Sequence, residues 1–441
     1  MRTLKLSALW KTALTDSSHY LIANLAIKLL AVVVIPIITR MISIEEFAVY
    51  DLFLSANAFA IVFLSLGMDS GTAILIAEQK NDKAKLSGLL KITLLLSLSA
   101  CLILCLVFLS IVPFLPWEDL SIKRAFYFSV FTFSSLTSYL CINFSRWIGR
   151  IKVAAYIGMI STILGIILGF SLLSIDKNID SYFLGLSIGG LIGAFLVVFS
   201  LRDCLKEKSG RIVNKKQIRE ILTLSLPYVP NYLCNTLMVM ADRLVILAVL
   251  DSKALGIYAL LSRIASIPNL VINVASSGFL PILYKNYETP NGKQFIREVL
   301  HIYFYAIPLA FLLSVALESY IVEFMGGKAY SDNAHFMSIM LVSVLVTSAT
   351  QLSGFSYNIK RKTQYIFYIT FFALILNLGI GYVFALQWGL WGVFLSTLLV
   401  SVMRITSHLY VSEKLYSFSY SWIKIVAILV VTSALLLIRY Q

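Results

Sequence analysis

Charge is scarce in this chain. Asp, Glu, Lys and Arg make up 13% of its 441 residues and apolar residues 59%, where soluble globular proteins run near ~25% and ~45–50%. With a mean hydropathy of +0.87, so little charge cannot cover a water-facing surface, and a soluble fold is excluded. Cysteine is sparse too. Cys101, Cys105, Cys141, Cys204 and Cys234 lie in or beside apolar runs without metal-ligand spacing, which excludes a disulfide framework. Four scattered histidines (His19, His301, His335, His408), no Asp-x-Asp pair for a sugar-nucleotide metal and short outer loops argue against a membrane polymerase or sugar-transferase. Neither catalysis nor a metal or organic cofactor is expected. Met1 to Asp16 lacks a compact apolar core and a small-residue cleavage site, so no removable leader is expected there.

What the chain does have is long apolar runs. A spanning helix needs about 20 mostly apolar residues. Runs of that kind fall near 20–39, 47–67, 87–112, 125–145, 153–174 and 181–200, then near 221–250, 254–282, 299–317, 333–357, 363–385 and 390–409. A further one lies near 421–438. The expected fold is an all-α integral membrane protein of two six-helix bundles plus a C-terminal span. Its expected division is an N-lobe at 1–205, a basic linker at 206–219, a C-lobe at 220–410 and a C-terminal segment at 411–441.

The net charge of +14 would suggest nucleic acid in a soluble protein; here topology accounts for it. With a cytoplasmic N-terminus, the inner corners collect Lys80, Lys83 and Lys85, then Arg146, Arg150 and Lys152, then the linker from Arg202 to Arg219, then Lys360-Arg361-Lys362. The outer loops carry Glu45, Glu46, Glu118, Asp119, Asp176 and Asp180. This is the positive-inside pattern of a multi-pass protein, so no nucleic-acid partner is expected.

The two sets of six look related. At an offset of 208, Tyr20 pairs with Tyr228 and Tyr50 with Tyr258, and Glu46-Phe47-Ala48-Val49-Tyr50 falls on Ala254-Leu255-Gly256-Ile257-Tyr258. At an offset of 211, Phe144-Ser145-Arg146-Trp147-Ile148-Gly149-Arg150 falls on Phe355-Ser356-Tyr357-Asn358-Ile359-Lys360-Arg361. Repeats of six spans share one orientation, with a pseudo-twofold axis along the membrane normal. Two such bundles predict a central cavity.

Several strings, in order along nearly the whole chain, carry a family resemblance. They are Ile35-Pro36-Ile37-Ile38-Thr39-Arg40 with Glu45-Glu46-Phe47-Ala48-Val49-Tyr50, and Ser65-Leu66-Gly67-Met68-Asp69-Ser70. The second half adds Leu226-Pro227-Tyr228-Val229-Pro230, Ala241-Asp242-Arg243, Leu376-Asn377-Leu378-Gly379 and Trp388-Gly389-Leu390-Trp391-Gly392. The chain thereby resembles the polysaccharide-transport branch of the multidrug/oligosaccharidyl-lipid/polysaccharide (MOP) exporters, and more narrowly the Wzx-type O-antigen flippases. It departs from them at Ala48, where the family favours Gly, and in its span beyond the twelfth. The resemblance implies a MATE-like fold in a bacterial inner membrane. It also implies a cargo, an undecaprenyl-pyrophosphate-linked oligosaccharide for lipopolysaccharide or a similar surface polysaccharide, handed on to polymerase and chain-length machinery. A MATE-like exporter of small molecules and a lipid-II flippase are the alternatives.

Charges inside spans point to a site on physical grounds, because each costs at least ~2.5–3.5 kcal/mol at the bilayer centre unless a partner or a wet cavity meets it. Lys28 lies roughly 13 Å into the first span, with Asn24 one turn before it on the same face. Asn231, Asn235 and Asp242 share a face of the seventh span; Arg243 follows, and Arg263 lies in the eighth. On one reading Asp242 pairs with Arg243 or Arg263 and locks two helices. On the other, Lys28, Arg243 and Arg263, with Asn24, line the cavity and hold a pyrophosphate, which Arg chelates bidentately. Coupling to H+ or Na+ would use Asp242. Arg146, Arg150, Lys152, Lys360, Arg361 and Arg404 stand at or near inner corners, as topogenic charges or as an entrance that draws in the head group. Gly165-x-x-x-Gly169 and Gly185-x-x-x-Gly189 fit close helix packing, and Pro227 with Pro230 would break the seventh span.

Overall fold

The computed structural model describes residues 26–78, 82–114, 121–206, 215–270 and 289–417, with 272 and 425 besides. Among them helix is the only extended secondary structure, as a bilayer demands: in hydrocarbon each backbone N–H and C=O must find its partner within the segment. In chain order the helices are α1 (Ala26–Ile38), α2 (Ile44–Leu64), α3 (Met68–Glu78), α4 (Lys83–Ile111), α5 (Ile122–Trp147), α6 (Ile151–Asp176), α7 (Ile179–Ser200) and α8 (Arg202–Lys206). There follow α9 (Lys215–Ser225), α10 (Val229–Val249), α11 (Ser252–Ala265), α12 (Pro290–Gly326), α13 (Phe336–Ser353), α14 (Phe355–Ile359) and α15 (Gln364–Leu415).

Each of the first twelve expected spans has a helix in its place. Nine stretches among the described residues are long and apolar enough to cross a membrane. The last of them, α15, holds two expected spans, because Gly389 breaks it with non-helical angles (φ 59°, ψ −138°). α1 and α11 are the described parts of the first and eighth. The span expected near 421–438 lies outside the described residues except for Ile425, as does the end of the eighth.

Helix ends are set by local chemistry. Ser43 and Glu46 form a reciprocal capping box, each side chain accepting the other's backbone N–H at 3.2 Å. Asp82, Ser121 and Asp251 accept N–H bonds from Lys85, Arg124 and Ala254 at the starts of α4, α5 and α11. Two breaks interrupt long runs. Leu66 (φ 51°) and Gly67 (φ 66°) separate α2 from α3, a turn that the apolar pattern alone does not reveal. Pro227 sits in a 3-10 turn, Leu226–Tyr228, that separates α9 from α10.

The chain forms two compact units, one of residues 1–34 and 52–236, the other of 35–51 and 237–441. In the first, the small-residue strings of α6 and α7 meet. A Cβ on Gly185 would strike the Gly169 backbone, and one on Gly189 would strike Gly165. Lipid tails are as apolar as side chains, so such contacts gain by close packing rather than by leaving water. α4 of the same unit exposes Leu102, Ile103, Leu106 and Val107, side chains suited to face lipid.

In the second unit, residues 35–51 are pinned by polar and close contacts. Thr39 Oγ1 donates to the Met325 carbonyl at 2.7 Å, and Arg40 Nη2 to that of Phe324 at 2.8 Å. Gly256 lies so near the Ile44 carbonyl that no Cβ would fit. The corners matched by the repeat, 46–50 and 254–258, therefore belong to one packed body.

Candidate functional site

The second unit contains a charged centre built on Asp51, about two turns into α2 and 1% exposed. Arg243 from α10 donates through Nε to Asp51 Oδ2 at 2.6 Å, and Arg263 from α11 through Nε to Oδ1 at 2.8 Å. Arg243 is buried and further anchored, with Nη1 on the Val239 carbonyl (2.8 Å) and Nη2 toward Ser262 Oγ (3.4 Å). The Arg263 side chain keeps 22% of its surface open. Tyr258 and Tyr50, the residues paired by the sequence repeat, lie under these cations: Arg243 is 5.7 Å from the Tyr258 ring and Arg263 5.1 Å from that of Tyr50.

Asp242 does not take the arginines. This corrects the pairing reading: the shared partner is Asp51, and Asp242 Oδ2 accepts the Tyr258 hydroxyl instead. It also corrects the charge balance, since two cations of the expected three share a carboxylate inside the run 47–67 that the sequence reading did not weigh. A signal was available, because Asp51 is the one charged residue in the apolar run 47–67. Two guanidinium groups on one carboxylate leave one positive charge, which the neighbouring Asp242 carboxylate offsets in the formal count; Arg263 is the open side of the centre.

A second polar group adjoins Asp242. Asn377 and Thr397, from the two halves of α15, lie beside its carboxylate. Oδ1 of Asp242 and Oδ1 of Asn377 are buried and accept no hydrogen bond among the described residues. Unfilled buried acceptors of this kind normally have an occupant or a purpose.

The other expected residues are dispersed. Lys28 is exposed on α1, in the first unit; Asn24 lies outside the described residues. Asn235 Nδ2 bonds back to the Asn231 carbonyl at 2.8 Å and to Asn231 Oδ1 at 3.3 Å along α10. Arg146 lies over the Trp147 ring at 4.8 Å, and Arg150 Nη1 donates to the Ser200 carbonyl at 2.9 Å. Lys152 and Arg361 are exposed, and Lys360 reaches over the Tyr416 ring at 5.4 Å. Arg404 is buried and donates to Thr370 Oγ1 at 3.2 Å. Gly185-Leu186-Ser187-Ile188-Gly189 spells the Gly-x-Ser-x-Gly string of hydrolases. Ser187 is buried in mid-helix, though, donating to the Phe183 carbonyl at 2.8 Å, and it lacks the exposed strand-to-helix turn a nucleophile needs.

Among the described residues the regular structure is helical, with nine stretches long and apolar enough to cross a membrane and a charged centre held within them, the make-up of a multi-pass membrane protein. Its fold matches solved members of that class. The lipid II flippase MurJ in an inward closed conformation gives a TM-score of 0.74 at 18% identity over 96% of this chain and 92% of that one. An inward-facing multidrug resistance MATE family transporter of the MOP superfamily gives 0.68 at 15% over 91% and 95%. A Vibrio cholerae MATE transporter gives 0.64 at 15% over 92% and 97%. At such identities the likeness is one of fold. Residues 13–287 match the family described as "Polysaccharide biosynthesis protein", and the chain belongs to that family. No curated protein matches it.

Proposed function

We propose that this protein is a flippase for an undecaprenyl-pyrophosphate-linked oligosaccharide, the repeat unit of an O-antigen or similar surface polysaccharide. It moves this cargo from the cytoplasmic to the outer leaflet of a bacterial inner membrane by alternating access. The observation that carries the reading is the pair Arg243 and Arg263 on the single carboxylate of Asp51. A dianionic head group cannot cross bare hydrocarbon without replacement of its hydration shell. Arg263, partly open, offers the edge of its guanidinium that Asp51 does not use, and the pyrophosphate competes with Asp51 for both arginines. Arg binds phosphate oxygens in a bidentate fork, which suits exchange of one oxyanion for another. Lys28 is the third cation of the path, and the basic corners at Arg146, Arg150, Lys152, Lys360 and Arg361 gather the cargo at the cytoplasmic side.

For the driving force, the Asp242 and Asn377 oxygens fit a proton or a sodium ion, both of which seek oxygen ligands. On the outer side the product passes to polysaccharide polymerase and chain-length machinery. The test is flipping in proteoliposomes, with the lipid-linked oligosaccharide scored by its accessibility to an added glycosidase, with and without H+ or Na+ gradients. Wild type should flip it. Arg263→Ala and Lys28→Ala should each slow flipping about tenfold or more with protein level intact. Full rates in both variants would remove these residues from the path; transport of cationic drugs or of lipid II in preference would favour the rival exporter or lipid-II flippase.

A further inference from the structure

One motif remains unused by that scheme: Ser65-Leu66-Gly67-Met68-Asp69-Ser70. The left-handed angles at Leu66 and Gly67 end α2 and start α3, so Asp69 and Ser70 are presented at a break. Two further helices of the first unit converge there. Tyr139 from α5 donates its hydroxyl to Asp69 Oδ2 at 3.0 Å, and the Tyr232 hydroxyl from α10 lies 2.7 Å from Ser70 Oγ. Asp69 Oδ1 accepts nothing among the described residues and is shut off from solvent. Tyr228 and Tyr232 stack one turn apart along the chain, their centroids 6.2 Å from each other and their planes within 24°.

We infer that Asp69, Ser70, Tyr139 and Tyr232 form a saccharide subsite, which grips the hydroxyls of one sugar of the lipid-linked glycan; the inference rests on the flippase reading above. The chemistry is selective. A carboxylate with no cation in ion-pair reach among the described residues repels pyrophosphate, so this is not a second head-group site. An acceptor left without a donor is costly beside lipid tails, so it is not a seat for the polyprenyl chain. A sugar meets all three features: its hydroxyls exchange bonds with the Ser70–Tyr232 pair, they donate to Oδ1 once the motion of the proposed transport cycle uncovers it, and its C–H face lies on the half-exposed Tyr228 ring. Head-group and sugar recognition are thus assigned to different units, Arg243 with Arg263 in one and Asp69 in the other.

The experiment measures binding of two probes to the full-length protein in nanodiscs: lipid-linked oligosaccharide extracted from the source cell, and bare undecaprenyl pyrophosphate. Wild type should bind the glycolipid more tightly. Asp69→Asn, Tyr139→Phe and Tyr232→Phe should each cut glycolipid affinity about tenfold or more and leave bare undecaprenyl pyrophosphate unchanged. Arg263→Ala should weaken both probes alike. If Asp69→Asn and Tyr232→Phe fold as wild type by thermal melting and keep full glycolipid affinity, or lose both probes equally, the subsite is overturned while the flippase reading stands. If wild type binds neither probe, the flippase reading itself falls.

Discussion

Asp51 and Asp69 stand on consecutive helical segments yet live in opposite circumstances. Asp51 has a guanidinium on each oxygen; among the described residues Asp69 has a phenol on one oxygen and nothing on the other. Both are carboxylates in a chain that has few to spare. The difference teaches that a charge within a membrane protein declares its use through its partners. A carboxylate with a cation on each oxygen ties helices together, and one with a buried, unfilled oxygen is, in the proposed subsite, kept for an arriving donor.

Breaking the first member should cost most. Asp51→Ala leaves Arg243 buried and uncompensated, and a loss of about 3–5 kcal/mol is expected, read as loss of monodisperse protein in detergent. Arg263→Ala should cost clearly less than Arg243→Ala in the same assay, because Arg263 is the partly open one. Gly67→Ala attacks the frame of the second member: φ is positive and a Cβ would strike the Ser225 carbonyl. About 1–3 kcal/mol of destabilisation is expected, measurable as a lower melting temperature. Asp69→Asn keeps an acceptor for Tyr139, so its stability should stay within about 1 kcal/mol of wild type, read as a nearly unchanged melting temperature, even as glycolipid binding falls.

The smallest effect serves as a control carboxylate outside the spans. The backbone N–H of Lys85 holds the Asp82 carboxyl below its usual range. Its capping contribution is therefore full above the ordinary carboxylate pKa and fades as pH falls through the lowered value. Asp82→Asn should flatten that acid-side loss in a melting-temperature series against pH, without moving transport.

Spans, their order and the family were legible because they rest on local quantities: apolar length, the sign of loop charge, and strings such as Leu226-Pro227-Tyr228-Val229-Pro230 whose proline does break the helix. The repeat was legible too, and its Tyr50–Tyr258 match marks two rings beneath the same arginine pair. Asp51 escaped because it stands at the very start of the run 47–67, close behind Glu45 and Glu46, where an acid is easily counted with the corner. Its partners are 192 and 212 residues away, a pairing no local pattern encodes. Asp242 drew attention instead because it adjoins Arg243 in sequence, yet neighbours along a helix point to different sides. The break at Leu66 was hidden for another reason: leucine announces no turn, and a strained angle is imposed there by the fold around it.

The glycine seam between α6 and α7 has a consequence for biogenesis. Backbones that touch at Gly165, Gly169, Gly185 and Gly189 are joined by a connection of only two residues, Lys177 and Asn178. The hairpin can thus zip shut while still beside the insertion machinery, before the second half has been synthesised. It would then leave the ribosome as a finished building block, against which later segments are sorted.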